Sequence, residues 1–177
     1  MNVVLFGATG MVGAGARVEC LADDRVQSVV ALTRSPIEGR MHPKLREVRR
    51  DDFFHYNDCR AEFAGCDACF FCLGVSSVGM DERAYTRLTY EAAFMFRPGY
   101  IQPVGSVRSR TGWVQASYTV IAPLYPILRR VLPNATTTTA NLGRALIQVA
   151  AAGYPTPVLY SQDMNRLAVG RPFQGRR

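Results

Sequence analysis

The sequence predicts an α/β fold in which a doubly wound parallel sheet is covered by helices on both faces. The predicted strands are apolar throughout, without alternating polar residues, which is typical of parallel strands buried on both sides. They alternate along the chain with helical segments, so right-handed crossovers would place helices on both faces of one sheet. The 177 residues, 48% of them hydrophobic, are enough for one sizeable core.

The first half of the chain carries most of this alternation. Strands are predicted at residues 2–6, 28–33, 45–48 and 67–73, and helices at 11–21 and 81–93. The second strand, SVVALT, is followed by Arg34, Ser35 and Pro36, which predict a loop. A single domain is therefore expected over residues 1–165, with a basic tail at 166–177.

The second half is less regular. The prediction is a short strand at 94–96, a proline and glycine loop at 97–103, a broken helix at 114–132 and a final helix at 136–153. Thr138 or Thr139 is the candidate N-cap of the final helix, because a threonine hydroxyl can accept a hydrogen bond from a free N–H of the first turn. Gly153 is its candidate C-terminal stop.

The clearest motif lies between the first predicted strand and the first helix. Gly7, Gly10 and Gly13 form a G-x-x-G-x-x-G pattern directly after the strand and open the helix. Such a turn lets backbone N–H groups and a helix N-terminus approach a pyrophosphate without obstruction by side chains, so it predicts dinucleotide binding. The alternative is a tight turn that needs glycine only for its backbone conformation.

Five segments, in order along the chain, resemble one family. They are GATGMVG (7–13), ALTRSP (31–36), DDF (51–53), CLGVSS (72–77) and FRPGYIQP (96–103). Together they resemble the atypical short-chain dehydrogenases/reductases, and among these the small NAD(P)-binding proteins similar to nucleoside-diphosphate-sugar epimerases. The resemblance implies a Rossmann-type fold, a nicotinamide dinucleotide ligand, and an oxidoreductase or epimerase-like enzyme. The small-molecule substrate is not identified by the sequence.

The resemblance also implies which residues bind the cofactor. They divide among the pyrophosphate, the adenine, the ribose next to nicotinamide, and the carboxamide. Gly7, Thr9, Gly10, Met11 and Gly13 are implied at the pyrophosphate, and Asp52 and Phe53 at the adenine. Leu73, Gly74 and Val75 are implied at the ribose next to nicotinamide, and Pro98 and Gly99 at the carboxamide.

Arg34 bears on the choice of cofactor. It stands where the second predicted strand ends, the place at which an acidic residue would accept the ribose 2′-hydroxyl in an NAD-preferring protein. An arginine there would pair with a 2′-phosphate, so NADP is the predicted cofactor and NAD the alternative. A solvated surface arginine is the competing interpretation.

Family members that transfer hydride usually carry a Tyr-x-x-x-Lys pair, and this chain has none. Its only lysine is Lys44, and Arg40 lies at the position where the tyrosine would be. The predicted sheet thus lacks the strand-helix unit that would carry the pair: on the order of 40 residues are missing between Ala93 and Phe94, judged from the size of a βαβ unit. Three interpretations stay open: a cofactor-sensing regulatory protein, an enzyme that uses other groups, and a protein whose catalytic segment is absent from this sequence.

Cys66, Cys69 and Cys72 form a C-x-x-C-x-x-C run that raises a metal or cluster site as an alternative. Cys69 and Cys72 fall within a predicted apolar strand, where their side chains would point to opposite faces. Buried thiols that act as small hydrophobes are the favoured interpretation, and no metal ligand is predicted.

Composition limits the partners. The net charge of +7, carried almost wholly by arginine, leaves a basic nucleic-acid-binding module as the less favoured alternative, because no basic strand interleaved with aromatics supports it. The longest apolar stretch, 114–128, contains prolines and is shorter than the roughly 20 residues of a membrane span. A core helix is the favoured interpretation of it, with an interfacial helix or a homo-oligomer contact as alternatives. The first residues carry no basic leader, which predicts a cytoplasmic location.

Overall fold

A computed structural model of the chain describes residues 1–37, 42–51, 61–73, 93–105, 130 and 135–170. The strands are β1 (Asn2–Phe6), β2 (Ser28–Thr33), β3 (Leu45–Arg49), β4 (Ala68–Phe71), β5 (Met95–Arg97), β6 (Tyr100–Gln102), β7 (Thr136–Thr138) and β8 (Val158–Tyr160). The helices are α1 (Met11–Ala22), α2 (Thr139–Ala152) and α3 (Ser161–Ala168).

The main sheet has four parallel strands in the order β3-β2-β1-β4. In the centre of this sheet, Val4 of β1 pairs with Val30 of β2 on one side and with Cys69 of β4 on the other. The chain therefore builds outward from β1 through β2 to β3 and then crosses back to the other side of β1. This arrangement confirms the predicted α/β class with a parallel sheet.

Both faces of this sheet are buried at β1 and β2, which explains why residues 3–6 and 29–32 are all apolar. Val3 and Leu5 pack with α1 in one core cluster, whereas Val4 and Phe6 belong to a second cluster on the opposite face. Successive residues of a strand point to opposite faces, so a strand covered on both sides has no solvent-facing register. The edge strand β3 departs from this rule and carries charged residues.

The remaining strands form two short parallel pairs, β5 with β8 and β6 with β7. The predicted strand at 94–96 is present one residue later. The predicted loop at 97–103 is wrong in part, because residues 100–102 form β6 against β7. The predicted helix at 136–153 is also wrong in its first turn: residues 136–138 are extended, as suits three β-branched threonines. The sequence analysis did not predict β8 or α3.

The last helix extends beyond residue 166, where the basic tail was expected to begin. Leu167 of α3 is buried with Leu159 and Met164 in a third core cluster, which also contains Leu142 of α2. The predicted helices at 81–93 and 114–132 fall almost entirely outside the described residues. No helix in the described part of the chain has both the length and the apolar character that crossing a membrane requires.

The helices α1 and α2 lie side by side and run in the same direction. The backbone of α1 comes so close at Gly15 that a Cβ atom there would lie 2.6 Å from Cβ of Thr139, the first residue of α2. About one turn further along each helix, Arg144 of α2 donates to the carboxylate of Glu19 over 2.8 Å. The two helix N-termini therefore face the same edge of the molecule.

Helix α2, which corresponds to the helix predicted at 136–153, begins and ends at residues that the sequence predicts as its caps. The hydroxyl of Thr138 accepts a hydrogen bond from the N–H of Asn141 over 3.0 Å, which confirms Thr138 as the N-cap. At the other end, Gly153 has a φ of 68° and donates its N–H to the carbonyl of Val149, which confirms it as the stop.

We expect Thr138→Ala to lower the free energy of unfolding by about 1 kcal/mol, because the substitution removes the N-cap acceptor. Thr156→Ala is the matched control, since the exposed hydroxyl of Thr156 contacts only the carbonyl of Val158 within its own loop. Its effect should stay within about 0.5 kcal/mol. Urea denaturation followed by circular dichroism measures both, and equal losses would contradict the capping role.

Candidate functional site

The glycine turn lies at the carboxyl end of β1 and leads directly into α1. Gly7 has a φ of 74°, in the left-handed region that glycine adopts without strain. The N–H of Gly10 donates to the carbonyl of Gly7 over 2.9 Å, and the N–H of Ala14 donates to the carbonyl of Gly10 over 2.7 Å. These bonds close the turn and begin the helix.

Gly7 is pressed against the end of β4. A Cβ atom at Gly7 would lie 2.5 Å from the carbonyl oxygen of Cys72 and 3.0 Å from the nitrogen of Leu73. The N–H of Cys72 donates in turn to the carbonyl of Phe6. The structure therefore places the glycine turn beside Leu73, the residue predicted to pass near the nicotinamide ribose.

Gly13 allows the first turn of α1 to pack onto the same loop. A Cβ atom at Gly13 would overlap the carbonyl oxygen of Gly7, so any other residue would force the helix away from the turn. Ala8, between these two glycines, is fully buried, whereas Thr9 and Met11 are half-buried. All five predicted pyrophosphate residues thus belong to one compact turn.

The N-terminus of α1 is suited to an anion. No side chain caps Gly10, and the first turn of the helix contains no acidic residue. The first N–H groups of an α-helix have no acceptor within the helix, and the helix dipole adds partial positive charge at that end. An anionic group placed here would accept hydrogen bonds from these backbone N–H groups, in the place of a side-chain cap.

Arg34 follows β2 at the same carboxyl edge of the sheet, and its side chain is exposed. The preceding Thr33 is 2% exposed, and its hydroxyl donates to one carboxylate oxygen of Glu47 over 3.0 Å. The other oxygen of Glu47 accepts the N–H of Ile37 over 3.2 Å. The backbone N–H of Arg50 donates to the carbonyl of Thr33 over 2.9 Å.

Sequence analysis did not single out Glu47. Nothing in the local pattern LREVR indicates that this carboxylate reaches from β3 to the end of the neighbouring strand. The pairing of Val48 with Leu32 brings Glu47 within reach of Thr33 and Ile37, and this register is a property of the folded sheet.

Pro98 and Gly99 lie between β5 and β6, which belong to the two short strand pairs and not to the four-stranded sheet. The N–H of Gly99 donates to the hydroxyl of Ser161 over 3.0 Å, and a Cβ atom at Gly99 would overlap the carbonyl oxygen of Ala135. Gly99 is therefore required where β6 approaches the chain before β7. Asp52, Phe53, Gly74 and Val75 lie outside the described residues.

The cysteines divide by burial. Cys20 is buried and Cys72 is half-buried, and burial raises the pKa of each thiol to about 12. Burial also raises the pKa of the half-buried Cys66. Cys69, by contrast, is exposed, so the interpretation of the run as buried hydrophobes is wrong at this position. The reason is the alternation along β4, where Phe70 faces the core while Cys69 and Phe71 are exposed.

Within the described ranges, no group of three or more histidine, cysteine and acidic side chains is arranged to hold a metal ion. Comparisons with protein-family models and with curated proteins find no match to this chain.

Gly13→Ala is expected to lower the free energy of unfolding by about 1 to 3 kcal/mol, because the new methyl group would overlap the backbone of Gly7. Gly10→Ala is the matched control in the same turn. Its added Cβ would lie 3.3 Å from the Gly7 carbonyl oxygen and alanine is a poorer N-cap than glycine, so a smaller loss of about 0.5 to 1 kcal/mol is expected. Thermal or urea unfolding would refute the close packing if the two variants behaved alike.

Alkylation should follow thiol exposure and thiolate content. With a pKa of about 12, Cys20 and Cys72 are each thiolate in only about one molecule in ten thousand at pH 8. Iodoacetamide treatment of the folded protein, followed by peptide mass spectrometry, should label Cys69 first, Cys72 more slowly and Cys20 least. Denaturant should make all three react, and rapid labelling of Cys20 before denaturation would contradict its burial.

Proposed function

We propose that the chain binds a nicotinamide dinucleotide, NADP(H) in preference to NAD(H), in a Rossmann-type fold. The observation that carries the proposal is the packing of the glycine turn between the end of β1, the end of β4 and the N-terminus of α1. There, no Cβ atom can be added at Gly7 or Gly13, and no side chain caps the N-terminus of α1, so its first N–H groups can serve a pyrophosphate.

The strand order supports the same ligand position. The order β3-β2-β1-β4 corresponds to the first four strands of a dinucleotide-binding sheet. In such a sheet the strand order reverses between the first and fourth strands, because the second and third strands are added on one side of the first strand and the fourth on the other. Ligands of open parallel sheets bind outside the carboxyl ends of the strands at such a reversal. In this chain the reversal lies between β1 and β4, where Gly7 contacts Cys72 and Leu73.

The preference for NADP(H) rests on Arg34 and on the state of the nearby carboxylate. Arginine presents a planar set of donors that matches a phosphate group. Glu47, an acidic group beside the end of β2, already accepts hydrogen bonds on both oxygens, from Thr33 and Ile37. It is therefore engaged with the protein and is poorly suited to receive the ribose 2′-hydroxyl of NAD.

Membership of the atypical short-chain dehydrogenases/reductases is part of this proposal and rests on the segments resembling that family. The chain holds no Tyr-x-x-x-Lys pair, so hydride transfer cannot be derived from its own residues. If only residues of this chain take part, the proposed function is that of a cofactor-responsive binding or regulatory protein. If a catalytic segment that is absent from this sequence also takes part, the proposed function is that of an oxidoreductase or epimerase-like enzyme.

Calorimetric titration of the purified chain with NADPH and with NADH tests the proposal. Arg34→Ala should raise the Kd of NADPH about tenfold, the effect of losing one charged hydrogen-bonding partner, and leave the Kd of NADH unchanged. Arg46→Ala is the control, since Arg46 lies near the amino end of β3 and pairs with Glu62. Preference for NADH would remove the role of Arg34, and binding of neither nucleotide would overturn the proposal.

A further inference from the structure

We propose that Glu47 is a positioning residue for cofactor preference, and that it acts by fixing the turn of residues 34–37 that carries Arg34. The inference rests on the proposed function and deepens it. Glu47 would not touch the cofactor; it would hold the backbone from which Arg34 reaches the 2′-phosphate. The cofactor distinguished in this way is one with a phosphate on the adenosine ribose.

The geometry of the carboxylate is the first support. One oxygen accepts the hydroxyl of Thr33, the last residue of β2, over 3.0 Å. The other oxygen accepts the backbone N–H of Ile37 over 3.2 Å. A single side chain on the neighbouring strand thus ties together the two ends of a five-residue segment, and Arg34 lies inside that segment.

Other contacts make this tie rigid. The N–H of Arg50 donates to the carbonyl of Thr33, so the end of β2 is held on its backbone as well as by its side chain. The side chain of Ile37 packs against the core cluster beneath α1. Both ends of the turn are therefore anchored, whereas Arg34 itself is exposed and available to a ligand.

The charge of Glu47 would by itself oppose a phosphate nearby, and Arg17 offsets it. Arg17 lies one helical turn after Gly13 and is half-buried; burial lowers the pKa of its guanidinium, while the nearby Glu47 carboxylate acts in the opposite direction. A carboxylate that accepts two hydrogen bonds beside an arginine presents little net negative charge to a ligand. Glu47 can therefore serve as an anchor at a site for an anion.

The test is calorimetric binding of NADPH and NADH to the full chain carrying Glu47→Gln or Glu47→Ala. Glutamine keeps the length of the side chain but only one acceptor oxygen, so its effect should be the smaller. For Glu47→Ala the Kd of NADPH should rise about three- to tenfold, in the range of coupling between neighbouring groups, while the Kd of NADH changes less than about twofold. Glu62→Gln, whose carboxylate pairs with Arg46 near the amino end of β3, is the control and should change neither.

The Arg34→Ala background separates positioning from a general structural role. If Glu47 acts through Arg34, adding Glu47→Gln to Arg34→Ala should leave the ratio of the two dissociation constants unchanged. An equal loss of NADPH and NADH binding in Glu47→Gln would overturn the inference, as would a selective loss of NADH binding, which would mean direct contact with the ribose 2′-hydroxyl. If the wild-type chain binds neither nucleotide, the proposed function itself is refuted. This result distinguishes a failure of the proposed function from a failure of the role of Glu47.

Discussion

The close packing of the first turn of α1 against the ends of β1 and β4 is the constraint on which the rest of the structure depends. Gly7 and Gly13 allow this contact because neither places a Cβ atom where the two backbones meet. This contact fixes the distance between α1 and the sheet, and Thr139 of α2 packs against α1 at Gly15. The orientation of α2, and of the cluster that α2 shares with α3, follows from that contact.

The packing explains how a short chain brings separate polar elements to one edge. A parallel sheet aligns the carboxyl ends of its strands, so the glycine turn, Arg34 and Leu73 follow three strands that end on the same side. The apolar interior on both faces then leaves this edge as the place where backbone N–H groups and charged side chains lie together. Burial therefore supplies the rigidity, and the strand ends supply the polar groups.

β1, α1 and β2 could be predicted to within about one residue because their signals are local: continuous apolar runs, and glycines between a strand and a helix. The short strands were harder because their pairing is not local. Tyr100 pairs with Thr136, and Met95 with Val158, so three-residue segments become strands only through partners far along the chain. Glu47 was missed for the same reason, since its role depends on strand register.

Phosphate binding by an arginine depends more strongly on the position of its backbone than phosphate binding by a lysine does. Lysine places a flexible point charge near a phosphate, whereas arginine offers a planar set of donors whose orientation must match the phosphate oxygens. In a chain with a single lysine, recognition of phosphate falls to arginine, and the backbone that carries it must be held. The bonds from Thr33 and Ile37 to Glu47 meet that demand at Arg34. In the proposed site, the carboxylate would favour an anionic ligand by ordering the arginine that binds it, although the carboxylate is itself negatively charged.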